Sequence, residues 1–119
     1  MHELSIAESI VDIIRQYVPD PVLTPVRGVR VKIGAQSGVS PDALSFAFSA
    51  ITIDTLLEQV ALRIEEVPFR LRCEACHEVS DSADGIAICP ECGSYSTTVL
   101  SGMEMLVSDI DVDDTAVDE

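Results

Sequence analysis

Tryptophan is absent from this 119-residue chain, and its aromatic side chains are three phenylalanines and two tyrosines. The core must therefore be aliphatic. Lysine occurs once, at position 32, and Lys plus Arg number 7 against 21 for Asp plus Glu, a formal net charge of −14. So few cations argue against binding a phosphate backbone or an anionic membrane, both of which need clustered positive charge. Long apolar runs are missing too. The longest, Ala43 to Ile53, is interrupted by Ser and Thr and falls short of the roughly 20 residues a spanning helix needs. The chain opens Met1-His2-Glu3 rather than with a basic region and an apolar block, so no export signal is expected and the cytoplasm is the expected compartment. There is no P-loop, no Ser/His/Asp set and no carboxylate pair assignable to one face, so no enzyme activity is expected.

Hydrophobic residues make up 47% of the chain and the mean hydropathy is +0.29, which is enough for one compact domain carrying at most a small module. The charge is lopsided. Residues 1–60 hold 4 basic and 7 acidic groups, a net of −3, whereas residues 61–119 hold 3 and 14, a net of −11. The stretch from Asp109 to Glu119 has no positive residue and reads as a solvated, self-repelling tail.

Leu4, Ala7, Ile10, Val11, Ile14, Tyr17 and Val18 recur at helical spacing, and Pro19 and Pro21 stop the pattern, predicting a helix over about 4–18. Val29, Val31 and Ile33 alternate with Arg30 and Lys32 as in a strand with one wet face. Ser40-Pro41-Asp42 has the form of a helix start, with a hydroxyl cap, Pro at the first position and an early acid. Leu44, Ala47, Phe48 and Ile51 line one face of that helix. Its end lies within 52–58, where Leu56 and Leu57 either extend it or pack from a loop. Val60, Leu62 and Ile64 form a second strand, ended by Pro68. A third runs through Met103, Met105 and Val107, with a bulge before Ile110 and Val112. The expected fold is α+β: two helices on one face of a small, about three-stranded sheet, with an inserted four-cysteine, zinc-ribbon-like module.

That module is the strongest local signal. Cys73-Glu74-Ala75-Cys76 is followed by twelve residues and then Cys89-Pro90-Glu91-Cys92-Gly93. Each CxxC folds as a tight turn aiming two sulfurs at one point, and four thiolates close a tetrahedron at about 2.3 Å per bond. In a reducing compartment four cysteines point to metal rather than to disulfides. With four protein ligands no position is left for substrate, so the ion is structural. Zn(II) fits first, an iron centre of the rubredoxin type second, and a redox dithiol third. The spacer, with Ser80, Asp81, Ser82, Asp84 and Gly85, is a poor core former, so metal binding supplies the folding energy. His77 follows Cys76 at the place Gly93 takes in the second pair, and reads as a surface side chain rather than a ligand.

The other histidine is residue 2. With Met1 retained, its α-amine, the His2 amide nitrogen and the His2 imidazole form fused chelate rings around one ion. The amide must lose its proton, which square-planar Ni(II) or Cu(II) drives and Zn(II) generally does not. The Glu3 amide or carboxylate, or a residue elsewhere, fills the fourth corner.

The opening Met1-His2-Glu3-Leu4-Ser5-Ile6-Ala7, the Ala47-Phe48 pair, Ile64-Glu65-Glu66-Val67-Pro68 ahead of the cysteines, and the CxxC-x12-CPxCG motif with a strand after it closely resemble the HypA/HybF family of nickel-insertion accessory proteins for hydrogenase maturation. The resemblance covers about residues 1–112. It implies a cytoplasmic metallochaperone that holds Zn(II) on Cys73, Cys76, Cys89 and Cys92. Ni(II) is carried by His2, with Met1 and Glu3 as further donors. It implies as partners the nickel-handling GTPase HypB and the hydrogenase large subunit, with some members also serving urease. The implied division is a nickel-binding α/β domain at 1–68 plus 98–112, a zinc module at 69–97 and an acidic tail at 113–119. Monomer and homodimer both stay open. A zinc-ribbon module for protein or nucleic acid is the alternative; its own cations are only Arg70 and Arg72, and its aromatics only Phe69 and Tyr95, which disfavours nucleic acid.

Overall fold

A computed structural model of the chain describes residues 3–82 and 85–113. In order it forms α1 (Glu3–Tyr17), β1 (Val26–Gly34), α2 (Pro41–Thr52), β2 (Ala61–Val67), β3 (Arg70–Cys73), β4 (Val79–Asp81), β5 (Thr97–Ser101) and β6 (Met105–Val112). The fold is α+β, with two helices and two small sheets. The first sheet has the order β2-β1-β6, with β1 parallel to β2 and antiparallel to β6. Parallel neighbours need a crossover, and α2 supplies it.

Each helix is amphipathic for the reason its spacing gives. α1 buries Ile6, Ala7, Ile10, Val11 and Ile14, one stripe at intervals of three and four, and ends just before Pro19. α2 starts at the Ser40 cap, whose Oγ accepts the Ala43 N–H at 3.3 Å, with Pro41 at the first position. It ends at Thr52, whose hydroxyl donates back to the Phe48 carbonyl at 2.8 Å. Leu56 and Leu57 therefore lie in the following loop. Leu57 returns to the core with 1% of its surface exposed, a burial that stabilises by about 2 kcal/mol. α1 lies toward β6 and α2 toward β2, and both cover the face of the sheet carrying Val29, Val31 and Ile33.

The opposite face is polar. Arg30 meets Asp109 at 3.7 Å, and Arg63 reaches Asp111 at 3.9 Å. The expected irregularity in the last strand is present. Arg30 pairs with Asp109 while Val31 pairs with Val107, so Ser108 is the extra residue. The strand begins at Met105, and Met103 precedes it, exposed, in the connection from β5.

The second sheet, order β4-β3-β5, is antiparallel throughout and was not anticipated. It takes Thr98 to Ser101 into the cysteine module, so the expected boundary at residue 97 falls inside β5. Of the expected acidic tail, only Asp113 is described, its N–H donating to the Pro25 carbonyl at 2.8 Å; residues 114–119 lie outside the described residues. The two sheets meet at a joint made of backbone. Ala35 N–H donates to the Val67 carbonyl and Gln36 N–H to the Gly102 carbonyl, both at 2.8 Å. A Cβ on Gly34 would sit 2.1 Å from the Gly102 carbonyl, so no other residue fits there.

Candidate metal centre

The first cysteine turn grows out of β3. Cys73, its last residue, receives the His77 N–H on its carbonyl and donates its own N–H to Glu78, both at 2.9 Å. The second turn repeats this pattern: Gly93 donates to the Cys89 carbonyl at 2.8 Å, and Cys89 donates to Ser94 at 3.0 Å. In both, the residue after the second cysteine takes a positive φ, 66° at His77 and 78° at Gly93. Glycine accepts that conformation freely, and histidine is among the side chains that tolerate it. His77 is thus a turn residue. Its side chain is exposed, and it is not among the residues whose donor atoms cluster.

The four sulfurs of Cys73, Cys76, Cys89 and Cys92 lie within 4.8 Å of one another. Cys73 Sγ is 3.6 Å from Cys92 Sγ, and Cys76 Sγ is 3.7 Å from Cys89 Sγ. A tetrahedron with bonds of about 2.3 Å has sulfur–sulfur edges of about 3.8 Å, so the set fits a zinc ion with every position taken by protein. Backbone N–H groups are aimed at the sulfurs, Ala75 and Cys76 at Cys73 at 3.3 Å and Glu91 at Cys89 at 3.4 Å. Such donors favour thiolate. The Cys73 thiol is lowered to about 6, chiefly by the Cys76 amide. The Cys76 thiol is pushed up to about 12: the Glu78 amide lowers it, but desolvation and the neighbouring sulfurs outweigh that contact. Cys92 is raised as well, since its Cys73 contact and desolvation outweigh the Ser94 amide. Without a metal, then, the cluster holds unlike sulfurs; a divalent ion makes them all thiolates.

Cys73 and Cys89 are buried, Cys76 and Cys92 exposed, so the site faces outward on one side. The module's two cations are both engaged. Arg70 pairs with Asp81 at 2.8 Å, which holds the Asp81 carboxyl below its usual range, and Arg72 meets Glu74 at 3.2 Å. Glu74 also accepts the Thr98 hydroxyl, and that bond together with Arg72 lowers its carboxyl. Both arginines of the module are thus engaged by its own carboxylates. Sequence reasoning missed this ring of Arg72, Glu74 and Thr98, because Thr98 lies a strand away.

Met1 and His2 lie outside the described residues. Glu3, the first residue of α1, is described, and its Oε2 accepts the Ser40 N–H at 2.9 Å. The start of α1 is thereby tied to the start of α2. The Ser40 cap was legible in the sequence; nothing in the sequence signalled its contact with Glu3.

No helix among the described residues is long and apolar enough to cross a membrane. A family model described as "Hydrogenase/urease nickel incorporation, metallochaperone, hypA" matches residues 1–112. The chain is similar to the hydrogenase maturation factor HypA of Geobacter metallireducens, 41% identical over 113 residues, covering 95% of this chain and 100% of that protein. It is also similar to that of Streptomyces avermitilis, 39% identical over 116 residues, 96% and 88% of the two chains. Among solved structures, the solution structure of the Ni metallochaperone HypA from Helicobacter pylori superposes with a TM-score of 0.62 at 23% identity, covering 93% of this chain and 97% of that one. At that identity the likeness bears on the fold.

Proposed function

The chain belongs to the HypA family of hydrogenase and urease nickel-incorporation metallochaperones, and from that premise we propose that it carries Ni(II) at its amino terminus. It delivers the ion to the hydrogenase large subunit, with the GTPase HypB as its partner, in the cytoplasm. Nickel is the cargo; zinc on Cys73, Cys76, Cys89 and Cys92 holds the module's shape. The observation that carries this reading is a family match running unbroken over both the Met1-His2-Glu3 start and the four cysteines.

The donors are the Met1 α-amine, the His2 amide nitrogen and the His2 imidazole, a set that suits square-planar Ni(II). The Glu3 carboxylate is held on the Ser40 amide, so the Glu3 amide nitrogen is the better fourth donor. The chain itself catalyses nothing; GTP hydrolysis belongs to the partner.

Metal content per chain, measured by native mass spectrometry on untagged protein before and after adding nickel, tests the proposal. One zinc and one nickel are expected. His2→Ala should lose the nickel while keeping the zinc and the helical spectrum; unchanged nickel affinity in that variant would overturn the assignment.

A further inference from the structure

The four sulfurs do not meet solvent alike. Cys73 is 1% exposed and Cys89 2%, whereas Cys76 and Cys92 are exposed. Cys73 Sγ in addition receives two backbone N–H groups, those of Ala75 and Cys76. Solvent therefore reaches one edge of the tetrahedron, the edge from Cys76 to Cys92. These two cysteines hold matching places: each is the second of its pair and precedes a residue of positive φ, His77 or Gly93. They belong to different turns, and their sulfurs lie within 4.8 Å of each other. The charge beside that edge is of one sign. Glu74, Glu78 and Glu91 flank the cysteines and are exposed, while the two arginines of the module are engaged by Asp81 and Glu74. Such a surface repels an anionic oxidant such as glutathione disulfide and leaves a neutral hydroperoxide unhindered.

We propose that the Cys76–Cys92 edge is a modification site for hydroperoxides, and that its oxidation opens the cage and releases the ion. The inference rests on the reading of the cage as a zinc site. One exposed thiolate attacks the peroxide O–O bond; a sulfur–oxygen bond forms and hydroxide leaves. The other thiolate then attacks the sulfenic sulfur; the S–S bond forms and a second hydroxide leaves. In sum, two thiolates and one hydrogen peroxide give one disulfide and two hydroxides. Each sulfur loses one electron and each peroxide oxygen gains one, while the zinc keeps its charge. The ion is left with Cys73 and Cys89 alone, half the thiolates of a closed structural site, and departs. A dithiol reverses the step by exchange, taking the disulfide onto itself and returning two thiols that bind zinc again.

The test treats the full-length, zinc-loaded chain with one equivalent of hydrogen peroxide and follows released zinc with a colour-forming chelator. Alkylation and digestion after glutamate then map the sulfurs by mass spectrometry, since Glu74, Glu78 and Glu91 place each cysteine in its own peptide. One zinc should be released per disulfide, with peptides 75–78 and 92–104 joined in the first product, and dithiothreitol should restore the site. Glutathione disulfide at the same concentration should release little zinc; faster release by it than by peroxide would overturn the choice of a neutral oxidant. Cys92→His keeps four donors but cannot close this disulfide, so it should hold zinc and lose it to peroxide several-fold more slowly. If that variant fails to hold zinc, the peptide map of the native chain decides alone. A first disulfide between any other pair, sulfinic acid without a disulfide, or zinc retained after peroxide would overturn the proposal and leave the zinc site standing. A chain that takes up no zinc at all would instead sink the zinc reading, and this inference with it.

Discussion

The Glu3 carboxylate and the Ser40 amide, 37 residues apart in the chain, share a hydrogen bond of 2.9 Å that joins the first residue of α1 to the cap of α2. A carboxylate on a backbone amide at a helix start satisfies a donor the helix leaves open and sits well against its dipole. Glu3→Ala should cost about 1 kcal/mol in chemical denaturation, the usual worth of such a contact. Glu3→Gln should retain most of that stability and leave nickel affinity unchanged, since the amide nitrogen remains. A large loss of nickel affinity in Glu3→Gln, with stability intact, would show the carboxylate to be a ligand.

Removing zinc should melt the module and spare the body. Within 69–101 the buried side chains among the described residues are Phe69, Leu71, Cys73 and Cys89, too few to hold a fold alone. With a strong chelator, hydrogen exchange should become fast in β3, β4 and β5 while the helical signal from α1 and α2 persists. Protected amides across β3 in metal-free protein would contradict this.

Zinc uptake should release protons and weaken in acid. At neutral pH the metal-free Cys76 thiol, raised to about 12, and the raised Cys92 thiol are protonated, whereas Cys73, lowered to about 6, is largely thiolate. Binding must strip at least the first two, so lower pH favours the free cluster. Calorimetry in buffers of different ionisation enthalpy counts those protons; uptake without release would refute the ordering.

Nickel should leave before zinc as pH falls. Bound nickel needs a neutral imidazole at His2, whose ordinary pKa is roughly 6.5, and metal competition moves its protonation lower still. A titration of both metals by mass spectrometry should show nickel lost first, below roughly pH 6.5. Simultaneous loss would mean the two share ligands.

Gly28→Ala should disturb the polar face of the sheet more than deletion of the ion pair it underlies. A Cβ at Gly28 would lie 2.7 Å from the Arg63 guanidinium and 3.2 Å from the Ala61 carbonyl. The guanidinium can swing away; the carbonyl cannot. The Arg63–Asp111 pair is about half exposed and 3.9 Å long, worth at most a few tenths of a kcal/mol. Thermal unfolding should place Arg63→Ala near the parent and Gly28→Ala measurably below it.

What the sequence made legible is what depends on near neighbours. The α1 stripe, the Ser40-Pro41 start, the bulge ahead of Ile110 and the CxxC turns all rest on spacing within a few residues. The parallel pairing of β1 with β2 depends on α2 crossing between them, and no local pattern encodes it. The second sheet escaped notice because β3 and β4 have four and three residues, shorter than an alternation can establish, and because Pro68 read as a stop. Leu57 belongs to the core through a loop rather than through a helix face, so periodicity had nothing to say about it.

The contact between Gly34 and Gly102 sets main chain against main chain at the waist of the molecule, with the Phe69 ring closing the other side of Gly102. An engineer wishing to tilt the sulfur cage relative to the helices cannot add bulk at position 34, since any methyl group there collides with the Gly102 carbonyl. The bulk left to trim is the Phe69 ring, so the seat of the cage can be loosened but not padded.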